Sequence, residues 1–363
     1  MTDQKRYIGV DMSKRSFEVA IVRDKSSPLA RKKYKASPEG KQAFITSLCK
    51  EDVVGFETGN SSFLLAKLIQ KKAGCKVHVL NAGKLHLIFK SLKKTDKEDA
   101  LRIAKFIQRT PEEELPTVAI PSDEELVMRS SATERSRINR SRTQSINALH
   151  SLLWNNGIVD YGRNELKQKN SRDKAVQKLP ELYQNQATRL LTLIEKYEQY
   201  LQEIDEEQKE HLKRHPEETT ISMSIPGIGP TTAFVQLCYL GNMARFASSK
   251  QVTYFSGYTP KLDISGDQHH YGAITKRGPR QLRQVMNQAA WAAIRSKDGI
   301  LLRAFYERVR ATRGKKKAII AVARKMLEIL YVLHMRKELY QSPVSPDHSR
   351  IINKLRRYGL LFE

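Results

Sequence analysis

Four acidic side chains stand at positions where a folded chain could use them for chemistry. Asp11 ends an apolar run that begins at Tyr7, and Glu57 ends a second run of the same kind. Asp96 and Asp99 are three residues apart, a spacing that places both carboxylates on one face of a helix. Taken singly, each acid has an ordinary explanation as a turn former or a first-turn helix residue. Their combination is what predicts a shared site.

Together, the four carboxylates suit the binding of a divalent metal ion. Mg²⁺ prefers hard oxygen ligands and keeps several water molecules, so a few converging carboxylates can hold one or two ions. Two such ions, about 4 Å apart, stabilise both the attacking and the leaving oxygen of a phosphodiester. We therefore expect Mg²⁺-dependent phosphodiester chemistry from these acids, provided that the fold brings them together.

The first 110 residues predict the strands and helices that would do so. Short runs rich in strand formers predict five strands, near residues 7–11, 17–22, 31–35, 53–57 and 76–80. Ser37-Pro38 predicts the start of a helix, and further helices are expected near 62–73 and up to about residue 108. Three strands followed by alternating helices and strands indicate an α/β layer fold, the arrangement of ribonuclease-H-like nucleases and resolvases.

The charge of the chain points to a polyanionic partner. Its 363 residues carry a formal net charge of +25, and the pI is near 9.9. Residues 1–110 have a net charge of +13, residues 111–218 of −4 and residues 219–363 of +16. Two basic blocks around an acidic middle favour two nucleic-acid-facing domains joined by a spacer.

Other features narrow the class of protein. No apolar run approaches the roughly 18 residues that a bilayer span requires, and no apolar segment follows the first residues as in a secretory signal. The three cysteines are too scattered for a zinc motif or a disulfide framework. We expect a cytoplasmic, nucleoid-associated protein of a bacterium or archaeon, without a membrane partner.

The middle of the chain is predicted to be a helical spacer. Residues 123–155 and 181–214 are poor in Gly and Pro, and in the second stretch apolar residues recur at helical spacing. Two such helices predict an antiparallel coiled-coil hairpin, which is either a packing spacer or a dimerisation arm. Five arginines between residues 129 and 142 form a solvated face or contact a phosphate backbone. We expect three domains: 1–110, 111–218 and 219–363.

The third block opens with a glycine-rich turn that enters a helix. Its Pro-Gly-Ile-Gly sequence resembles the hairpin of helix-hairpin-helix modules, in which free N–H groups hold DNA phosphates; a plain helix start is the alternative. Four cations open a later helix: Lys276, Arg277, Arg280 and Arg283. They either neutralise a phosphate or form an ordinary basic helix start. We expect a mostly helical domain in which Gly227, Gly229 and these cations bind nucleic acid.

Motifs in both terminal blocks carry a family resemblance. In the first block they are Ile8-Gly9-Val10-Asp11, Phe56-Glu57-Thr58-Gly59 and residues 94–100. In the last block they are residues 225–229, 255–260, Ser265-Gly266 and residues 274–278. The chain resembles the DEDD transposases, which include the Piv/MooV DNA invertases and the bridge-RNA-guided insertion-sequence recombinases. It departs from the family at Asn60-Ser61-Ser62, where an aromatic residue usually follows the Glu-x-Thr-Gly motif.

The resemblance implies a RuvC-like domain whose tetrad Asp11, Glu57, Asp96 and Asp99 binds Mg²⁺. It also implies that Ser265 forms a covalent phosphoserine link to DNA. Both centres would act in a homodimer or homotetramer, and a structured RNA encoded by the element would choose donor and target DNA by base pairing. The sequence leaves open which neighbouring group activates Ser265.

Three other interpretations are open at this point. A metal-only RuvC-like nuclease or resolvase would cut DNA without using Ser265. A nucleic-acid-organising protein would keep its salt-sensitive binding after Asp11→Asn or Asp96→Asn, although acids at strand ends argue against it. A cut-and-paste transposase with a three-acid site would leave the fourth acid and the distant Ser-Gly turn unexplained.

Overall fold

The computed structural model describes residues 5–23, 30–59, 61–88, 96–265, 268–344 and 348–361. Within these ranges, only the backbone is described for residues 86–88, 96–97, 262–265 and 268–271. Contacts divide the chain into two compact units, Met1–Ser122 and Asp123–Glu363.

The first unit is built around a mixed five-stranded sheet with the order β3-β2-β1-β4-β5. Its strands are β1 (Arg6–Met12), β2 (Ser16–Arg23), β3 (Ala30–Lys35), β4 (Val53–Glu57) and β5 (Lys76–Leu80). β2 pairs antiparallel with β1 and β3, whereas β4 pairs parallel with β1 and β5. All five strands lie where the sequence predicts them, because most are apolar, β-branched runs bounded by turn residues.

Helices cover both faces of this sheet. They are α1 (Pro38–Thr46), α2 (Ser62–Lys72), α3 (Ala82–Ile88) and α4 (Asp96–Arg109). The predicted start of α1 is confirmed, since Ser37 Oγ accepts a hydrogen bond from the Gly40 N–H at 3.3 Å. Apolar side chains of α1 and α2 pack with Ile8 and Val10 on one face, while α4 packs on the opposite face against Ala20 and Val22 of β2. Because side chains alternate along a strand, successive residues pack into the apolar cores on opposite faces of the sheet.

Three helices open the second unit: α5 (Asp123–Asn155), α6 (Lys169–Gln177) and α7 (Glu181–Lys213). The two long helices coincide with the predicted stretches 123–155 and 181–214. They pack antiparallel, because Arg135 on α5 pairs with Asp205 on α7, whereas Arg142, further along α5, pairs with the earlier Glu198. The pattern does not predict α6, since that helix buries few apolar side chains.

Arginines of α5 bind neighbouring helices of the second unit. The Arg135 guanidinium donates to both carboxylate oxygens of Asp205, at 2.5 and 3.0 Å. Arg129 Nε donates to the Cys238 carbonyl at 2.8 Å. Of the five arginines in the cluster, only Arg137 and Arg140 are exposed. Three of the five therefore serve the packing of the second unit, which neither sequence interpretation of the cluster includes.

A buried arginine joins α6 to α7. Arg172 is only 1% exposed, and its guanidinium donates to both carboxylate oxygens of Glu198, at 3.1 and 2.8 Å. Arg142 donates to the same carboxylate at 2.6 Å. Burial by itself would raise the pKa of Glu198, but hydrogen bonds from Arg172 and Arg142 hold it below its ordinary value. This charged cluster fixes the short helix against the long one.

The rest of the second unit is mostly helical. Its elements are α8 (Pro216–Ser224), α9 (Pro230–Leu240), α10 (Ser249–Phe255), β6 (Pro260–Ser265), β7 (Gln268–Ile274), α11 (Arg280–Arg295), α12 (Ile300–Arg336) and α13 (Ser349–Arg357). Side chains of α9, α11 and α12 form the largest core of the chain. β6 and β7 pair as an antiparallel hairpin where the sequence predicts only a turn. The alternation of Leu262 and Ile264 with polar residues is too short to predict a strand.

The longest helix, α12, is interrupted. Gly314 has φ 75° and ψ 165°, which lies outside helical geometry, so two helical segments meet at this residue. Within the part of the chain that the structure describes, no helix, α12 included, is long and apolar enough to cross a bilayer.

Candidate active site

Two acids lie side by side where adjacent parallel strands end. In the register of β1 and β4, Gly9 stands opposite Gly55 and Val10 opposite Phe56, so the next pair is Asp11 and Glu57. Asp11 is partly exposed and Glu57 is exposed. Because side chains alternate along a strand, each acid is on the same face as the glycine two residues before it. That face is the one covered by α4.

The two glycines let α4 approach this face closely. A Cβ on Gly9 would overlap the Ala100 carbonyl oxygen and the Ala104 nitrogen, and a Cβ on Gly55 would lie 2.9 Å from the Ile107 side chain. No side chain on either strand therefore separates the sheet from α4 at this level.

The direction of α4 brings its N-terminus to the acidic edge. Near its C-terminus, Gln108 Nε2 donates to the Arg23 carbonyl at 2.8 Å, and Arg23 pairs with Arg6 at the start of β1. α4 therefore runs antiparallel to β1, from the carboxyl end of that strand to its beginning. The first turn of α4 lies at the end of the sheet where β1 and β4 terminate.

This first turn carries the remaining two predicted acids. Asp99 is about one-quarter exposed, and its Oδ1 accepts a hydrogen bond from Arg102 at 3.2 Å. Asp96 is the first residue of α4, and its side chain lies outside the described residues. The structure thus brings Asp11, Glu57 and the start of α4 to one edge.

The donor set at this edge suits a divalent cation, because carboxylate oxygens are the ligands that hard cations prefer. Among the described side chains, which do not include that of Asp96, no three His, Cys, Asp or Glu groups form a ready-made metal cluster. Asp96 is the acid that would complete the set, and it starts the helix whose close approach the glycines permit.

Glu18 is a fifth acid that the sequence analysis does not single out. It stands directly opposite Asp11 in the β1–β2 register, on the face covered by α4. Glu18 is only 7% exposed, and its carboxylate pairs with Lys33 Nζ at 3.4 Å. A buried carboxylate opposite another acid costs stability. The cross-strand register is the signal that identifies it, and this register appears only in the structure.

The second unit carries Ser265 at the end of β6. In the β6–β7 register, Ser265 is opposite Gln268, Ile264 opposite His269 and Asp263 opposite His270. The side chains of these residues lie outside the described part of the chain. Ser265 therefore belongs to the last pair of a hairpin rather than to an isolated turn.

Two glycines interlock at the base of this hairpin. Gly257 has φ 73°, and a Cβ there would lie 2.7 Å from the Arg277 carbonyl oxygen. Gly278 has φ 141°, and a Cβ there would overlap the Phe255 carbonyl oxygen. The Thr275 N–H donates to the Thr259 carbonyl at 2.8 Å between them. The motifs at 255–260 and 274–278 thus form one contact, which anchors both strands of the hairpin.

The four predicted cations differ in their surroundings. Lys276, Arg277 and Arg280 are exposed beside the hairpin base. Arg283 is tied down, since its Nη1 donates to the Gly278 carbonyl at 2.8 Å and to the Ser256 carbonyl at 3.2 Å. Burial lowers the pKa of Arg283 below its ordinary value. The first three have solvent-exposed side chains, while Arg283 supports the loop that carries them.

The two glycines of the predicted phosphate turn also differ. Gly227 has φ 81°, and a Cβ there would overlap the Ala289 carbonyl oxygen of α11, so close helix packing accounts for this glycine. Gly229 precedes α9 and has no heavy atom closer than the Tyr358 hydroxyl, which would lie 4.0 Å from its Cβ. Gly229 therefore keeps the open surroundings that a phosphate requires.

Comparison with known proteins gives one match in each terminal block, and the first match continues into the middle of the chain. A DEDD transposase family model of the IS110 type matches residues 8–155. The model of the Transposase IS116/IS110/IS902 family matches residues 220–307. The two matches together cover more than half of the chain and contain the acidic edge as well as Ser265. The chain belongs to the DEDD transposases of the IS110 type.

Individual relatives agree with this assignment. The transposase for insertion sequence element IS1111A of Coxiella burnetii is 27% identical over 223 residues, which are 57% of this chain and 58% of that protein. The transposase for insertion sequence element IS1328 of Yersinia enterocolitica is 25% identical over 287 residues, which are 78% of this chain and 82% of that protein. The chain thus spans under two thirds of the first relative and most of the second.

Family membership confirms the resemblance carried by the motifs. As a DEDD transposase, the protein is an enzyme with DNA as its substrate, and its DEDD domain indicates the use of a divalent metal.

Proposed function

We propose that this DEDD transposase moves an insertion sequence by cutting and rejoining DNA through a phosphoserine at Ser265, with Asp11, Glu57, Asp96 and Asp99 as ligands of Mg²⁺. The observation that carries the proposal is the edge where β1 and β4 end beneath the first turn of α4. Strand ends and a tightly packed helix place acids more rigidly than a loop would.

The carboxylates supply charge and position. Asp11 and Glu57 extend from neighbouring strands, and Asp96 and Asp99 from the first turn of α4. These carboxylates would hold a Mg²⁺ ion, which when bound would polarise the phosphodiester and stabilise the oxygen on which charge develops. Arg102 holds the Asp99 carboxylate at 3.2 Å and limits its rotation. Glu18 adds negative charge beside Asp11 and strengthens the attraction of the edge for a cation.

The serine performs the exchange of the phosphodiester bond. Its Oγ forms a bond to phosphorus as the bond between phosphorus and a deoxyribose oxygen breaks, and the hydroxyl proton passes to a base or to the departing oxygen. The energy of the cut bond is retained in the phosphoserine, so a second DNA hydroxyl can restore the backbone by the reverse reaction. Lys276, Arg277 and Arg280 neutralise the phosphate beside the hairpin, and Gly229 contacts a neighbouring phosphate.

The remaining parts of the proposal concern organisation and partners. Residues 1–110 form an RNase-H/RuvC-like domain, residues 111–218 a coiled-coil linker, and residues 219–363 the serine-bearing transposase domain with a helix-hairpin-helix-like start. The protein works as a homodimer or homotetramer on donor and target DNA that a guide RNA selects. It acts in the cytoplasm of a bacterium or archaeon, at the nucleoid.

Covalent trapping tests the central step. Full-length protein is incubated with Mg²⁺, element-derived RNA and labelled donor and target DNA, then denatured and separated on a gel. We expect a nuclease-sensitive protein–DNA band for the wild type, and none for Ser265→Ala or Asp11→Asn. Ser256→Ala is the matched serine control and keeps the band, since Ser256 Oγ donates to the Val252 carbonyl inside the fold. Equal cutting by wild type and Ser265→Ala, with no adduct, would instead establish the metal-only nuclease.

A further inference from the structure

The interruption of α12 results from the backbone conformation of Gly314. Gly314 adopts φ 75° and ψ 165°, a region that essentially only glycine occupies. No heavy atom lies within 4 Å of the position that a Cβ would take, so the glycine is not required for space. The sequence therefore specifies a bend at this point of the helix.

The bend is surrounded by cations. We call residues 308–317 the α12 elbow. Residues 310–317 are eight consecutive exposed positions. The cations of the elbow are Arg308, Arg310, Arg313, Lys315, Lys316 and Lys317. Arg310 pairs with Glu307 at 3.0 Å, and in the described part of the chain no acidic side chain forms an ion pair with the other five. The elbow thus has a large uncompensated positive charge.

The placement of the lysines is unfavourable for the isolated protein. Lys315, Lys316 and Lys317 occupy the first turn after the bend, where the helix dipole favours negative charge. Three like charges on successive residues also repel one another. Residues that break a local rule in this way are expected at sites where a partner supplies the missing charge.

Both arms of the elbow are anchored. Leu302 and Tyr306 are buried before the bend, and Ala318, Val322 and Met326 are buried after it. The elbow is therefore a rigid projection on a packed helix. It presents cations with few apolar side chains, which suits a charged polymer better than a protein core.

We infer that the α12 elbow is a sequence-independent binding surface for the sugar–phosphate backbone of a nucleic acid. The elbow begins immediately after residue 307, where the family match ends, and it includes none of the residues assigned to the reaction. Its lysine ammonium groups contact phosphates and make no contacts with the bases. The inference rests on the proposed function, in which one protein holds nucleic acids during strand exchange.

Salt-dependent binding tests the elbow. The test variant carries the three substitutions Lys315→Gln, Lys316→Gln and Lys317→Gln. Its charge-matched control carries Lys167→Gln, Lys174→Gln and Arg189→Gln, at exposed positions in or beside α6 and α7. The probes are a fluorescent DNA duplex and an RNA duplex of the same sequence, titrated at several salt concentrations. We expect the elbow variant to lose on the order of 10-fold in affinity and to reduce the slope of log K against log salt by about 2 to 3. The control should change both quantities little.

Each outcome has a definite meaning. Loss for both duplexes supports a general backbone contact, and loss for one alone identifies DNA or RNA as the ligand. Equal affinities and slopes for elbow and control variants would overturn the inference. Should the triple variant fail to fold by circular dichroism, Arg308→Gln with Arg313→Gln provides the same test. An absent covalent adduct with elbow-dependent binding would refute the proposed chemistry alone, whereas an intact adduct with unchanged binding would refute only the elbow.

Discussion

Gly9 of β1 lies directly against the carbonyl oxygen of Ala100 on α4, with no side chain between strand and helix. Asp11 follows Gly9 by two residues, and Asp99 precedes Ala100 by one. A single backbone contact thus sets how far the strand-end acids lie from the acids of α4. The geometry of the acidic edge depends on a residue that has no side chain.

Replacing Gly9 with Ala tests this dependence. The added methyl group overlaps the backbone of α4, so the helix must shift outward, which costs about 1–3 kcal/mol in the free energy of unfolding. We expect a lower melting temperature and a loss of DNA cleavage. Gly59→Ala is the stability control, because no heavy atom lies within 4 Å of its Cβ position. A Gly9→Ala protein as stable and active as the wild type would refute the role of this contact.

Glu18→Gln tests whether the fifth acid tunes metal binding. The substitution removes a buried negative charge opposite Asp11 and keeps nearly the same shape. We expect the Mg²⁺ concentration for half-maximal cleavage to rise by about 10-fold, as for other groups that support metal ligands. Saturating Mg²⁺ should restore most of the rate. Glu51→Gln, at an exposed position of the same unit, should leave the Mg²⁺ requirement unchanged.

Glu198→Ala is expected to destabilise the second unit strongly. The change leaves the Arg172 guanidinium buried without a counter-charge, at a cost of about 3–5 kcal/mol in the free energy of unfolding. Glu195 on the same helix pairs with Lys169 at the surface, so Glu195→Ala should cost less than about 1 kcal/mol. Denaturant unfolding of the two variants measures the contrast. Equal costs would show that the buried cluster is not important for stability.

The buried Lys354 predicts a pH dependence of stability. The pKa of Lys354 is lowered from 10.5 to about 8, mainly by burial and also by Arg350 nearby, while Asp298 opposes the shift. The unfolded chain therefore holds more protons between these two values, so the contribution of Lys354 to stability rises as the pH increases through this window, by up to about 3 kcal/mol. The wild type should gain stability over Lys354→Met across that range in urea unfolding. Lys174→Met, at an exposed position, is the control, and its difference from the wild type in the free energy of unfolding should not change with pH. If the difference for Lys354→Met were also independent of pH, the lowered pKa would be contradicted.

Local patterns were sufficient to predict much of the first unit and the long helices. The strand ending at Asp11 and the one ending at Glu57 are short apolar runs, and Ser37-Pro38 is a complete helix-start signal. The helices 123–155 and 181–214 follow from the absence of Gly and Pro together with helical periodicity. In each case the information is contained in one continuous stretch of the sequence.

Contacts between distant residues were not predictable in the same way. The importance of Gly227 depends on the α11 backbone, more than 60 positions later, and that of Glu18 on the register between two strands. The sequence predicts that Arg283 binds a phosphate, but in the fold its guanidinium donates hydrogen bonds to the carbonyls of Ser256 and Gly278. A single sequence shows residue types, whereas these roles depend on which backbone groups the fold places beside them.

The interlocked base of the β6–β7 hairpin makes the reach of Ser265 adjustable. Because Gly257 and Gly278 fix both strands at their origin, the strands beyond that point can change in length without disturbing the helices beneath. Adding two residues to each strand would move the tip outward by about 7 Å and preserve the faces of the hairpin. Adding only one residue to each strand would reverse them. The distance of Ser265 from the base of the hairpin can therefore change in steps of two residues per strand.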